Sequence, residues 1–226
     1  MLYPSFQQIC GPQLAELWQS ISPPRKVAAA SVNPPALEAL RAAVAEHLGE
    51  ELLVVGDQLP LPIDTALPHP ERVGTDRLCC ASAAFDRLGV ACVVADFGTA
   101  VTIDCVSAKG VFLGGAILPG LAMGAEALHA RTARLPQVTP SAPTWVFGTD
   151  TRQAIVGGLV RGARGALREL VEAYATELGH WPLVIVTGGD AELVVGDVAA
   201  GGLVQAIVPD LALRGVANAY YKSLLK

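Results

Sequence analysis

Residues 91–118 read ACVVADFGTAVTIDCVSAKGVFLGGAIL. Three β-like runs, ACVVAD, AVTIDCV and GVFLGGAIL, follow one another with tight turns of Gly, Ser and Lys between them, which predicts a three-strand meander. The first run ends on Asp96, breaks at Gly98-Thr99-Ala100 and resumes as Val101-Thr102-Ile103. A glycine where the backbone must approach something closely, with a hydroxyl beside it and an acid just before, suggests a phosphate held at a strand turn. An ordinary hairpin is the plainer alternative.

Downstream, helical spacing appears in PGLAMGAEALHARTARL (119–135), and a long helix is predicted from about Asp150 to about Leu178. PLVIVTGG (182–189) reads as a buried strand ending in a glycine pair. A short helix or turn, a strand and a closing helix in VPDLALRGVANAYYKSLLK (208–226) complete the chain. A meander extended by parallel strands with crossover helices is the order of a ribonuclease H-like half.

Upstream the order is helix, strand, helix, strand, helix. VAAASV from Val27 is a short strand, Pro35 to Leu48 a helix, and ELLVVG (51–56) another strand. A proline-rich loop, DQLPLPIDTALPHPERVG (57–74), leads to the helix TDRLCCASAAFDRLG, with Thr75 or Asp76 near its N-cap and Gly89 at its end. This is the same plan without its opening meander. The expected fold is therefore α/β, with residues 1–90 a partial N-terminal ribonuclease H-like domain and residues 91–226 a C-terminal one.

The composition supports a filled core: of 226 residues 52% are hydrophobic and 16% charged. No apolar run reaches the roughly 18 to 20 residues of a membrane span, and MLYPSFQQIC lacks the basic start and apolar stretch of a signal peptide. A cytoplasmic protein is expected. The net charge of -5 and pI near 5.3, without a Lys/Arg run, argue against nucleic acid as the main partner. The cysteines, Cys10, Cys79, Cys80, Cys92 and Cys105, form no metal-spaced pair and are expected as buried free thiols.

Taken in order, PERVGTDR (70–77), DFGTAVTID (96–104), GGAILPGLAMGAEALHARTARLP (114–136), GTDTRQAIVGGL (148–159) and VTGGDA (186–191) resemble the type III pantothenate kinases. These belong to the superfamily of acetate and sugar kinases, heat-shock proteins and actin, and the resemblance covers about residues 27–226. It implies two actin-like ATPase halves, phosphorylation of the primary hydroxyl of pantothenate by ATP with Mg2+ in the first step towards coenzyme A, a homodimer, and a monovalent cation, K+ or NH4+. By motif, Asp76 resembles the proton acceptor, with Gly74, Thr75 and Arg77 as its substrate-binding neighbours. Asp96 resembles the cation ligand, Gly98 and Thr99 the ATP-phosphate contacts, and Thr151 a pantothenate contact near the dimer interface.

The bare residue types carry plainer readings too. Asp76 in Thr-Asp ahead of an apolar-periodic run is a common capping arrangement. Arg77 is either a fork for a carboxylate or a solvated arginine. Gly188-Gly189 brings the chain close to a nucleotide base or ribose, or is a simple strand-to-helix turn. Asp104, alternating with Thr102, is expected to face solvent. His129 reads as a packing or surface histidine, and Arg131 and Arg134 as solvated charges.

Some positions depart from the family pattern. Members open with a strand carrying Asp-x-Gly-Asn-Thr, the first phosphate loop, and nothing here matches it; a segment missing from the chain and a true loss of the loop are both open. Leu67 stands where the family usually has tyrosine, and Cys80 where it commonly has asparagine, which removes hydrogen-bonding capacity from the substrate side. Two other readings therefore stay in view: a non-catalytic, regulatory or binding relative like the Bvg accessory factor, and a kinase for another small alcohol.

Overall fold

The computed structural model describes residues 14–196 and 202–225. Chain contacts divide into two compact units, residues 1–63 with 69–82 and 212–226, and residues 64–68 with 83–211. Cys10 and the other residues before 14 lie outside the described part.

The second unit is built on the meander. Strands β4 (Cys92–Phe97), β5 (Ala100–Val106) and β6 (Val111–Pro119) pair antiparallel in sequence order. Strand β7 (Leu183–Thr187) runs parallel to β4, and β8 (Ala206–Ile207) parallel to β7. The order β6-β5-β4-β7-β8 is the ribonuclease H-like arrangement that the sequence predicts. The proline-rich loop adds to it: Asp64–Thr65 form a two-residue strand, β3, parallel to the outer flank of β6. Ala66 N–H continues that pairing by donating to Phe112 O at 2.9 Å.

Helix α5 (Thr151–Leu178) covers one face of this sheet. It starts because Asp150 caps it, its Oδ1 accepting from Gln153 N–H at 2.8 Å, and it stops at Gly179 in the left-handed conformation. Its buried stripe, Ile155, Val156, Val160, Leu167 and Val171, recurs at helical spacing. Val160, Leu167 and Val171 share a core with Val93, Ala95, Phe97, Val101 and Ile103 of β4 and β5. Each such fully buried large side chain contributes about 1.5–3 kcal/mol. Tyr174 ties the far end down by donating to Ile103 O at 3.1 Å.

Helix α4 (Leu121–Ala130) is shorter than the periodicity of 119–135 predicts. Thr132 turns its hydroxyl back onto Leu128 O at 2.7 Å, and the chain folds over so that His129 Nδ1 lies 2.8 Å from Leu135 O. Arg131 thus becomes the C-cap, and it and Arg134 are exposed, as is His129. The short helix α6 (Ala191–Val195) follows β7.

The first unit holds helical residues 14–20 (α1), strand β1 (Val27–Ala29), helix α2 (Pro34–Leu48) and strand β2 (Leu52–Val54), the two strands pairing parallel. Asn33 caps α2 by accepting from Ala36 N–H at 3.1 Å, and Gly49 ends it. The described residues of this unit contain no antiparallel meander. Helix α3 spans Thr75–Leu88 and the closing helix α7 Leu211–Leu224. Gly215 of α7 packs directly on the Cys79 backbone of α3, where a Cβ would stand 2.0 Å from Cys79 O.

Candidate active site

In the first unit the predicted substrate residues gather at the start of α3, beside the chain that leaves the C-terminal ends of β1 and β2. Such strand ends are where open α/β sheets collect ligands. Thr75 Oγ1 donates to Ser31 O, just beyond β1, at 3.4 Å, and its methyl group borders Gly56, just beyond β2. Gly74 O accepts from Arg77 and Leu78 N–H, at 3.1 and 3.4 Å, so Gly74 precedes the helix and Thr75 and Asp76 are its first two residues, near the N-cap as expected.

Asp76 is exposed and folds its carboxylate back over this end, Oδ1 accepting from Arg77 N–H at 2.9 Å. A Cβ at 74 would lie 2.4 Å from Asp76 Oδ1, so a side chain there would displace the carboxylate from this position. The sequence Gly-Thr-Asp-Arg therefore leaves room for a held, solvent-facing carboxylate on a rigid helix turn. Burial, with the Asp76 charge second, pushes the Cys79 thiol one turn further on up to about 12.

In the second unit the Asp96–Ala100 turn has the close backbone packing that its small residues suggest. Gly98 N–H donates to Ala100 O at 3.2 Å, Gly120 N–H to Thr99 O at 3.2 Å, and Asp190 N–H to Phe97 O at 2.9 Å. The turn is thus held between the start of α4 and the segment after β7. Thr99 is exposed, so its hydroxyl faces water from a fixed backbone.

Gly188 backs this turn. With φ +98 it occupies the region that favours glycine, and a Cβ on it would stand 2.5 Å from Asp96 Oδ1. The same Cβ would stand 2.5 Å from Phe97 C and O, so Gly188 lets its backbone pass close to the Asp96–Phe97 segment. Register sets what flanks that acid: Asp96 pairs with Thr102 on β5 and with Thr187 on β7, so all three lie in one row on the sheet face away from α5. Thr187 is buried and donates to Pro209 O at 3.2 Å. Burial raises the Asp190 carboxyl above its ordinary value.

Asp104 sits on the same face and is buried, 2% exposed, which overturns the expectation that it faces solvent. Both faces of this central strand are covered, so alternation assigns the face but not its exposure. Thr151 occupies the exposed first position of α5, where the preceding Gly148-Thr149-Asp150 wraps the helix start. Thr149 N–H and Oγ1 donate to Gln153 Oε1 at 3.0 and 3.1 Å, which fixes the local geometry around Thr151. Leu67 is half-buried beside Gly114, and Cys79, Cys80, Cys92 and Cys105 are buried free thiols as expected.

The row Thr187–Asp96–Thr102 and the role of Gly120 were not read from the sequence. The first is visible only once strand register is known, and the second only once α4 is seen to start against the turn. Among the described residues no helix is long and apolar enough to cross a membrane, and no group of three or more His, Cys, Asp or Glu could hold a metal ion.

The sequence model of the type III pantothenate kinase family matches residues 7–173. A type III pantothenate kinase of Akkermansia muciniphila is 42% identical over 149 residues, 66% of this chain and 60% of that protein. One of Thermomicrobium roseum is 37% identical over 194 residues, 86% of this chain and 74% of that protein. The crystal structure of a Campylobacter jejuni protein described as a "conserved putative Baf family transcriptional activator" superposes with a TM-score of 0.61, covering 93% of this chain and 89% of its own, at 21% identity. That likeness shows a shared fold. The family match runs through both the Gly74–Arg77 segment and the Asp96–Ala100 turn, and the chain belongs to the type III pantothenate kinase family.

Proposed function

We propose that this chain phosphorylates the primary hydroxyl of pantothenate with ATP, giving 4'-phosphopantothenate, the first step of coenzyme A synthesis, in the cytoplasm where ATP is supplied. The observation that carries the reading is the family match over residues 7–173, which includes both loops described above.

Phosphoryl transfer needs positioned donors and neutralised charge more than reactive side chains. The exposed Thr99 hydroxyl and the Gly98 backbone, on a turn fixed from two sides, serve as phosphate contacts for ATP, which carries Mg2+. The alcohol loses a proton as it attacks, and Asp76, already oriented by Arg77 N–H, accepts it. The Arg77 guanidinium matches the substrate carboxylate, with Gly74 and Thr75 lining its approach. Thr151 contributes a further hydroxyl to pantothenate beside a homodimer interface.

Asp96 is the proposed ligand of a monovalent cation, K+ or NH4+. The residues fit such an ion: the carboxylate fills a space kept clear by Gly188, and the side chains paired with it across the sheet are hydroxyls, so the polar groups of the row are hard oxygen donors. When bound, the ion supplies positive charge beside the phosphates. Mass spectrometry of the product after incubation with ATP, Mg2+, K+ and pantothenate tests the reading; formation of 4'-phosphopantothenate supports it, and ATP left intact with pantothenate unchanged contradicts it.

A further inference from the structure

Asp96 lies between two threonines. Its parallel partner on β7 is Thr187 and its antiparallel partner on β5 is Thr102, so a hydroxyl-bearing residue flanks the acid on each side. The two are not equivalent. Thr187 is 3% exposed and its hydroxyl donates to Pro209 O at 3.2 Å, which gives it a structural use within the fold. Thr102 is half-buried, and Ile117, its partner on β6 and the next residue of the row, is 63% exposed, so the row opens to solvent on the Thr102 side.

Directly opposed residues of an antiparallel pair hold their Cβ atoms about 4.5–5.5 Å apart on one face of the sheet. A cation resting on the Asp96 carboxylate is therefore within reach of the Thr102 oxygen. A hydroxyl oxygen carries two lone pairs wherever its proton points, so it ligates a cation as a neutral group and needs no ionisation. K+ is well served by neutral oxygens that replace its hydration shell. The carboxylate itself offers about four lone-pair sites, so sharing an ion with Thr102 leaves room for its other contacts. Threonine also suits a strand through its branched shape alone. That use depends on the methyl and the branching, which valine reproduces, and not on the oxygen.

We infer that the Thr102 hydroxyl is a second ligand of the monovalent cation at Asp96, and that this neutral oxygen contributes to how tightly the ion is held. This rests on the proposed reading of Asp96 as a cation ligand.

The test compares wild type with Thr102→Val, which keeps the shape and loses the oxygen, and Thr102→Ser, which keeps the oxygen and loses the methyl. Thr102→Ala serves as a second protein without the hydroxyl. The rise in melting temperature is measured on adding K+ in place of tetramethylammonium at constant ionic strength, together with the K+ concentration for half-maximal rate. The valine and alanine variants should need about threefold to tenfold more K+ and show a smaller K+-induced thermal shift, while the serine variant stays close to wild type in both. Folded valine and alanine variants with wild-type K+ dependence in both readouts overturn this inference alone. A serine variant as impaired as the valine one overturns it too, because the methyl and not the oxygen would then matter. A wild type indifferent to K+ in both readouts overturns the cation reading of Asp96 together with it.

Discussion

Gly188 and Asp96 are in direct steric register: a Cβ at 188 would lie 2.5 Å from Asp96 Oδ1 and 2.5 Å from the Phe97 carbonyl. The glycine after one strand thus lets its backbone lie against the acid and the next residue of the neighbouring strand.

Gly188→Ala is accordingly expected to damage stability and site together. Its backbone at φ +98 strains any other residue, and the added methyl pushes on Asp96 and Phe97. Urea unfolding should show a loss of about 1–3 kcal/mol. In the folded variant the pantothenate-dependent rate should fall and more K+ should be needed to restore it.

Asp76→Asn separates the base from the helix start. The amide oxygen can still accept from Arg77 N–H, so the melting temperature should stay close to wild type. Without a proton acceptor kcat should drop by about 10²–10⁴-fold. A helix-capping residue with no catalytic role would give the opposite pattern, with Asn tolerated in the rate assay.

Thr99→Ala removes an exposed hydroxyl from a turn held by backbone hydrogen bonds, so folding should be unaffected. Loss of one hydrogen bond to a charged phosphate is worth about 1.5–3 kcal/mol. The KM for ATP should therefore rise by about tenfold or more, while that for pantothenate changes little.

Burial holds three thiols well above their ordinary value of 9.0: Cys79 and Cys92 at about 12, and Cys105 at about 11. The folded state keeps these protons after the unfolded chain has lost them. Their contribution to stability is thus complete below pH 9, shrinks as pH rises above 9, and is gone once pH passes the folded values of about 11 to 12. Unfolding free energies measured by urea should fall across that window. At neutral pH the same thiols should resist alkylation until urea is added.

The elements legible in the sequence are those with local causes. The meander and the long helix from about Asp150 to about Leu178 both rest on residues close in sequence, and each is where the pattern puts it. Strand β3 was hidden because two residues of a proline-rich loop carry no period of their own; only the flank of β6 makes them a strand. Asp104 was placed on the correct face by alternation but given the wrong environment, since periodicity does not say what covers a face. The contact of Gly188 with Asp96 joins distant parts of the chain through parallel pairing, and no local signal encodes it.

Coupled ADP release shows whether the chain phosphorylates pantothenate with Asp76 as base. Wild type and Asp76→Asn are assayed with and without pantothenate at saturating K+. ADP release that depends on pantothenate in wild type and is lost in Asp76→Asn is the predicted result. ADP release indifferent to pantothenate, or equal in the two proteins, would contradict the account.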